Sequence, residues 1–310
     1  MQSRDSLSVY ERRMHQVLDH IDRQLDKSLD LESLAEVAHF SPFHFHRLFA
    51  AWMGETLGDY LRRRRVEVAA MRLSSQPRLS VLTAAISVGF GSGEAFARAF
   101  KTRFGCSPTA WRKQNSLRRA TNRNSDQVKS NHNQDSLHLQ FQYGVSPDTQ
   151  PETSMEVTLV DRAPAFVAYQ RHTGPYGKPL SLFWRRTIYP WLRENSLLGQ
   201  ARYGISHDDP SITEPDRCRY DACVEVPPLF KPSRSVLTAT IPGGRYAVLR
   251  FKGTAGEIGE AWNSLLRDWL PSSGLQLDAR PCFEYYPMDS SHDAETGVFD
   301  CDICIPVAAL

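Results

Sequence analysis

The sequence predicts a multi-domain chain: an all-α, bipartite helix-turn-helix front domain followed by an α+β domain of duplicated ββαββ units. Three observations predict it. A helical unit near the start occurs twice at a fixed spacing. A stretch too polar to build a core follows it. After that, strand, strand, helix, strand, strand occurs twice in the same order.

The first copy of the helical unit centres on "SPFHFHRLFAAWMG", residues 41–54. Ser41 suits the N-cap, and Pro42 suits the first helical position, where a missing N–H costs nothing. Gly54 suits the C-terminal stop. Phe45, Leu48, Phe49 and Trp52 fall at i, i+3, i+4, i+7 and predict one buried stripe. Phe43, His46, Arg47 and Ala50 repeat that spacing on a second face. His44 and His46 stand roughly 200° apart around a helix, so they do not share a metal.

The second copy is "SGEAFARAFKTRFG", residues 92–105. Ser41 and Ser92, Phe45 and Phe96, Arg47 and Arg98, Phe49 and Phe100, Gly54 and Gly105 are each 51 residues apart. A short amphipathic helix and a tight turn precede each copy ("LESLAEVAHF" and "LTAAISVGF"), completing the helix-turn-helix pattern. Glu94, Ala97, Arg98 and Lys101 lie away from the Phe96, Phe100 stripe. Arg98 suits guanine O6/N7 and Glu94 suits cytosine N4. A surface Glu–Arg pair without a further partner is the alternative. Between the copies, "LGDYLRRRRVEVAAMRL" reads as one helix of about 25 Å from Leu57 to Leu73. Such a spacer sets two recognition helices near the ~34 Å repeat of the major groove, so one monomer reads two adjacent grooves. The arginine run 62–65 reads as a mixture of solvated and phosphate-contacting side chains. Charge agrees with a polyanionic partner for the front: residues 1–123 carry a balance of +8 and the rest −6, within a total of +2.

The duplicated units, above all "VGFGSGEAFARAFKTRFGCSPTAWR", resemble the AraC/XylS family of transcription regulators over roughly residues 8–114. The resemblance implies a seven-helix, bipartite DNA-binding domain whose two recognition helices enter neighbouring major-groove segments. By position it implies base- or sugar-facing roles for Phe43, His46 and Arg47 in the first helix. In the second it implies them for Gly93, Glu94 and Arg98, with Ser92 and Lys101 completing the candidate set. Many members carry longer polar residues where Gly93 stands.

Residues 115–136, "NSLRRATNRNSDQVKSNHNQDS", hold one Leu, one Val and no aromatic, and cannot bury enough apolar surface to order themselves. The expected organisation is therefore a DNA-binding domain over 1–114, a largely disordered polar linker over 115–154, and a second domain over 155–310. In that last part "MEVTLV", "AFVAYQRHTGPY", a helical "LFWRRTIYPWLREN", "ARYGISH" and "YDACVEV" form one unit. Its Pro190 implies a kink or break. "VLTATIP", "RYAVLRFKGT", a helical "AGEIGEAWNSLLRDWL", "CFEYYPM" and "FDCDICIPV" form the second. Antiparallel sheets and a groove where the halves meet are expected.

Cys301 and Cys304 form a CxxC, but inside a strand they point to opposite faces, so buried structural thiols are expected rather than a metal or redox site. No run approaches the ~18 apolar residues of a membrane span. The N-terminus "MQSRDSLSVYERR" lacks an apolar signal core. A soluble, cytoplasmic protein with no membrane partner is expected.

The rear half resembles the GyrI-like (SHS2-duplicated) small-molecule-binding domain through "RHTGPY", "YGISHDDP", "GGRYAVLRFKGT" and "FEYYP". The whole order is similar to Rob-type regulators. The resemblance implies an aromatic-lined pocket with a buried acid that receives cationic or amphipathic ligands. Glu284 matches that acid; Tyr176, Tyr203, Trp184 and Trp262 are the candidate aromatics, with Tyr286 beside the acid. A carboxylate paired to Arg245 or Arg250 is the alternative for Glu284, and core packing is the alternative for the two tryptophans. Strand alternation puts Glu284 and Tyr286 on one face and Phe283 and Tyr285 on the other.

The two resemblances together imply a sequence-specific regulator, read as an activator, that senses a small cationic or amphipathic molecule. The implied partners are double-stranded DNA, bound as a monomer, the effector, and RNA polymerase; no cofactor or metal is implied. A hydrolase or ligand-sequestering activity in the rear domain is the alternative. No Ser-His-Asp order, metal set or phosphate loop supports an enzyme.

Overall fold

The computed structural model describes residues 2–76, 78–114, 156–232, 236–278, 280–293 and 295–309. The linker expected over 115–154 lies outside the described residues.

The front domain is helical: α1 (Gln2–Arg23), α2 (Leu31–Val37), α3 (Pro42–Met53), α4 (Leu57–Ser75), α5 (Val81–Ile86), α6 (Gly93–Phe104) and α7 (residues 108–114). Each helix of the repeat is capped as its sequence dictates. The Ser41 hydroxyl accepts from the His44 N–H and that of Ser92 from the Ala95 N–H, while Gly54 and Gly105 close α3 and α6 in the left-handed region at φ 69° and 72°. Phe45, Phe49, Phe96 and Phe100 are fully buried in one core shared with α1 and α4. Trp52 departs from the predicted stripe: it stands in the last turn of α3 and is 40% exposed. The spacer helix is α4, 19 residues long.

The rear domain contains β1 (Val157–Arg162), β2 (Ala165–Thr173), α8 (Lys178–Phe183), α9 (Tyr189–Glu194), β3 (Arg202–Ser206) and β4 (Arg219–Glu225). The same order returns as β5 (Leu237–Ile241), β6 (Gly244–Gly253), α10 (Ile258–Ser264), α11 (Leu270–Ser272), β7 (Leu275–Leu277), β8 (Phe283–Tyr286) and β9 (Phe299–Ala309). The short β7, which the sequence pattern does not announce, pairs with β9. A π-helical turn joins each helix pair, Trp184–Ile188 in the first half and Leu265–Trp269 in the second. Pro190 and Pro271 stand second in the helices that follow, and each lacks the N–H that a regular α-helix would need there.

All strand pairs are antiparallel, in the order β1-β6-β9-β8-β3-β4-β2-β5. Each half lends its first strand to the other half's edge: β1 pairs β6 and β5 pairs β2. The halves meet at the β3–β8 pair, where Gly204 stands opposite Glu284. One sheet face carries a core of its own, including Tyr169, Tyr203, Tyr246 and Phe283. The helices cover the other face in two separate cores, one per half. Cys304 belongs to the first of these faces and Cys301 to the second, as strand alternation requires.

The domains dock through the β3–β4 connection, residues 207–218, which lies against α1 and α4. Ile212 enters the front domain's core. Arg64 bonds Asp22 (2.9 Å), Asp208 (2.6 Å) and the His207 carbonyl (3.0 Å); Arg219 spans the same two carboxylates at 2.6 and 2.8 Å. Beside them Arg171 bonds Asp221 and Asp19, and His207 bonds Asp221 at 2.6 Å. A second cluster joins Arg63, Glu55 and Glu67 to Thr213, Glu214 and Arg217, with Arg103 between them. Burial opposes ionisation of Asp22, Asp208 and Asp221, but the flanking guanidinium groups outweigh it and hold all three well below the usual carboxylate range. The arginine run 62–65 is thus mostly not a phosphate-facing surface. Arg62 is exposed, Arg63 and Arg64 serve the domain interface, and Arg65 bonds the Leu25 and Lys27 carbonyls. One helix carries all four on successive 100° steps, so the packing of α4 between two domains decides the role of each.

Candidate nucleic-acid face and candidate ligand site

In α3, Phe43, His46 and Arg47 are exposed, and the Arg47 guanidinium lies 5.8 Å from the Phe43 ring centre. His44 is tied to the cap, its Nδ1 standing 3.1 Å from the Ser41 hydroxyl. In α6, Ser92, Glu94, Arg98 and Lys101 are exposed and Gly93 is half-buried. Ser92 uses its hydroxyl as the N-cap. Glu94 and Arg98 make no ion pair with each other or with another described residue, so both heads are free to meet an outside partner. The rear domain docks on α1, α4 and the C-terminal end of α6, through Arg103, and leaves these faces open.

The rear domain's candidate acid is enclosed. Glu284 is 8% exposed and accepts three hydrogen bonds, from the hydroxyls of Tyr220 (3.1 Å) and Tyr286 (2.8 Å) and the indole N–H of Trp262 (3.2 Å). Trp184 packs against both tyrosines, with ring centres 6.5 and 6.2 Å away, and Tyr176 meets Tyr220 edge-on at 6.2 Å. No arginine reaches Glu284 among the described residues: Arg250 pairs with Asp300 and Asp302, and Arg245 with Asp161. Burial pushes the Glu284 carboxyl up, against the three donors that favour its ionised form. An acid held this way, ringed by π faces and lacking a cation, has the chemistry to receive one.

Two residues that complete the site are not among the candidates read from the sequence. Tyr220 belongs to "YDACVEV", which reads only as a strand. Gly204 opposes the acid; a Cβ there would stand 1.8 Å from the Tyr220 hydroxyl and 2.8 Å from a Glu284 oxygen. Only glycine lets the two meet. The quoted "YGISH" motif contains it, and a glycine inside a strand signals such a close approach.

Five of the six candidate ligand residues converge: Tyr176, Trp184, Trp262, Glu284 and Tyr286. Tyr203 does not. It pairs with Tyr285 in register and therefore faces the other side of the sheet. There it lines a separate cavity of about 220 Å³ with Arg162, Glu225, Phe283 and Tyr285. The two tryptophans serve as walls of the acid site and also pack on the helix-side cores.

Fold and sites define a two-domain protein, with a duplicated helix-turn-helix that exposes one polar face on each of α3 and α6 and a β-domain that buries an acid among aromatic rings. Residues 155–308 match the GyrI-like small-molecule-binding domain and residues 34–114 a helix-turn-helix domain. The chain is 33% identical over 120 residues to a DNA gyrase inhibitor of Cronobacter sakazakii, covering 38% of this chain and 74% of that one. It is 30% identical over 122 residues to the probable transcriptional regulator YgiV of Escherichia coli, covering 38% and 76%. Among solved structures, the DNA-binding domain of AdpA in complex with a target DNA is 31% identical, with a TM-score of 0.32, covering 34% of this chain and 95% of that one. The chain belongs to the AraC-type transcriptional regulators with a C-terminal GyrI-like domain: it binds DNA through its helix-turn-helix units and a small molecule through its rear domain. Among the described residues no helix is long and apolar enough to cross a membrane.

Proposed function

We propose that the chain is a cytoplasmic activator that binds two adjacent major-groove segments as a monomer and senses an amphipathic organic cation at Glu284. The carrying observation is the buried carboxylate, held by Tyr220, Tyr286 and Trp262 with no basic side chain beside it among the described residues. Arg47 and His46 read bases from α3, and Glu94 and Arg98 read them from α6, with Phe43, Ser92, Gly93 and Lys101 against the backbone and sugars. The free heads of Glu94 and Arg98 and their place on the open face support this. RNA polymerase is the partner through which activation proceeds. The rear domain binds its ligand without converting it.

Calorimetric titration of benzyltrimethylammonium and its neutral isostere 2,2-dimethylpropylbenzene into wild type and Glu284→Gln tests the ligand site. The substitution keeps shape and removes charge, so the cation should lose at least tenfold in affinity and the neutral compound little. Equal losses refute the assignment. Mass spectrometry after incubation checks the last statement, since a converted ligand would favour the hydrolase reading. Selection of bound DNA from a random pool identifies the operator, and transcription in vitro with purified polymerase decides activation.

A further inference from the structure

Tyr176 belongs to two structures at once. Its ring stands edge-on to Tyr220, whose hydroxyl holds Glu284. Its own hydroxyl shares its one proton between the carbonyls of Arg219 (2.7 Å) and Asp208 (3.1 Å), at the two ends of the β3–β4 arm. The side chains of those same residues grip the front domain: Asp208 through Arg64, and Arg219 through Asp22 and Tyr60. Strand β4 repeats the connection by alternation, with Arg219 and Asp221 facing the interface and Tyr220 between them facing the acid.

Glu284 is 8% exposed behind these rings, so an organic cation reaches it only if an aromatic wall moves. Tyr220 and Tyr286 stand on central strands with their hydroxyls on Glu284. Tyr176 instead stands beyond the end of β2, between Gly174 (φ 142°) and Gly177 (φ 76°), rather than within a paired strand.

Building on the reading of Glu284 as the ligand's counter-charge, we propose that Tyr176 couples ligand entry to domain docking. A cation that reaches Glu284 displaces the Tyr176 ring, its hydroxyl leaves the Asp208 and Arg219 carbonyls, and the arm loosens from α4. The recognition faces are open in the docked form, so loosening changes how the two helix-turn-helix units are braced rather than uncovering them. Coupling of this kind is reciprocal: whatever loosens the arm must tighten the cation.

The test uses the full chain, benzyltrimethylammonium as probe, and hydrogen exchange read on peptides spanning residues 57–70 and 207–217. In wild type, saturating cation should speed exchange in both peptides. Tyr176→Phe keeps the ring and deletes the hydroxyl. Without ligand its arm should already exchange faster, the cation should add little, and cation affinity should rise roughly two- to tenfold, the scale of one lost hydrogen bond. Arg217→Ala, which removes the arm's half-exposed pair with Glu55 at 2.6 Å, should also tighten the cation. Wild-type exchange and wild-type cation response in Tyr176→Phe overturn the proposal. If the cation fails to bind wild type, the Glu284 reading falls. The hold of Tyr176 on the arm is then decided by the ligand-free Tyr176→Phe comparison, where unchanged arm exchange overturns it and faster exchange supports it.

Discussion

Arg62 and Arg64 are near neighbours in one run, yet replacing each by Met should have opposite consequences. Arg64 is buried and makes three charge-assisted bonds, to Asp22, Asp208 and the His207 carbonyl. Breaking a buried pair costs about 3–5 kcal/mol, because the remaining charges lose their compensation. Arg219 still bridges both carboxylates, so the lower end applies: about 3 kcal/mol, or roughly 150-fold in the docking equilibrium. Arg62 makes one pair with Asp59 at 3.4 Å, with both side chains more than half exposed, and its removal should stay within about 0.5 kcal/mol. Native-state hydrogen exchange is the assay. In Arg64→Met, peptides of α4 should exchange about a hundredfold faster while those of β9 hold their wild-type protection. Salt-dependent DNA binding supplies the second measurement. Arg62→Met should reduce the salt slope by about one and Arg64→Met should leave it unchanged. A change below about fivefold in α4 for Arg64→Met, or a lowered salt slope for it, would refute the assignment of this arginine to the interface.

Other outcomes follow from the same contacts. Arg98→Ala should relax base preference in one half of the operator by about 1–3 kcal/mol, seen in binding to single-base variants; a uniform loss across sequences would make Arg98 a phosphate contact. Gly204→Ala should separate Tyr220 from Glu284 and abolish cation binding, because the added carbon falls within 1.8 Å of the hydroxyl. Cation affinity should climb as pH rises through the raised pKa of Glu284 and then level off, while the neutral isostere shows no such rise in calorimetry. Burial, aided by Arg171, pushes the His15 imidazole down from 6.5 to about 4. Its stabilising effect is complete above pH 6.5 and is lost as pH falls toward 4, about 3 kcal/mol in all. Thermal midpoints between pH 7.5 and 4 should decline less in His15→Gln; an identical decline would show that His15 does not carry the acid sensitivity.

Much of the front domain was legible because its determinants are local. Ser41 and Ser92 cap, Gly54 and Gly105 terminate, and the four buried phenylalanines recur at helical spacing, so a period of 51 residues exposes the duplication and the open face of α3 and of α6. The strand–helix order of the rear domain was legible for the same reason, and Glu284 stood out within its "FEYYP" motif. Alternation along β8 correctly separated Glu284 from Phe283.

Contacts between distant segments left weaker traces or none. Tyr203 and Glu284 stand in equally suggestive motifs, and only the β3–β8 register puts them on opposite faces, because a one-residue offset in a strand inverts every side chain. The exchange of β1 and β5 between the halves, the room Gly204 makes for Tyr220, and the joining of Tyr176 to Asp208 and Arg219 are likewise set by contacts between segments far apart in the chain. Helical periodicity along the arginine run cannot tell which side of α4 meets a second domain, since Asp208 lies 144 residues away. The sequence by itself determined which elements form, where they end and which faces are apolar. The tertiary structure alone decided which charges are buried against which, because the pairing of a buried guanidinium is set by whatever carboxylate the docked fold brings within about 3 Å.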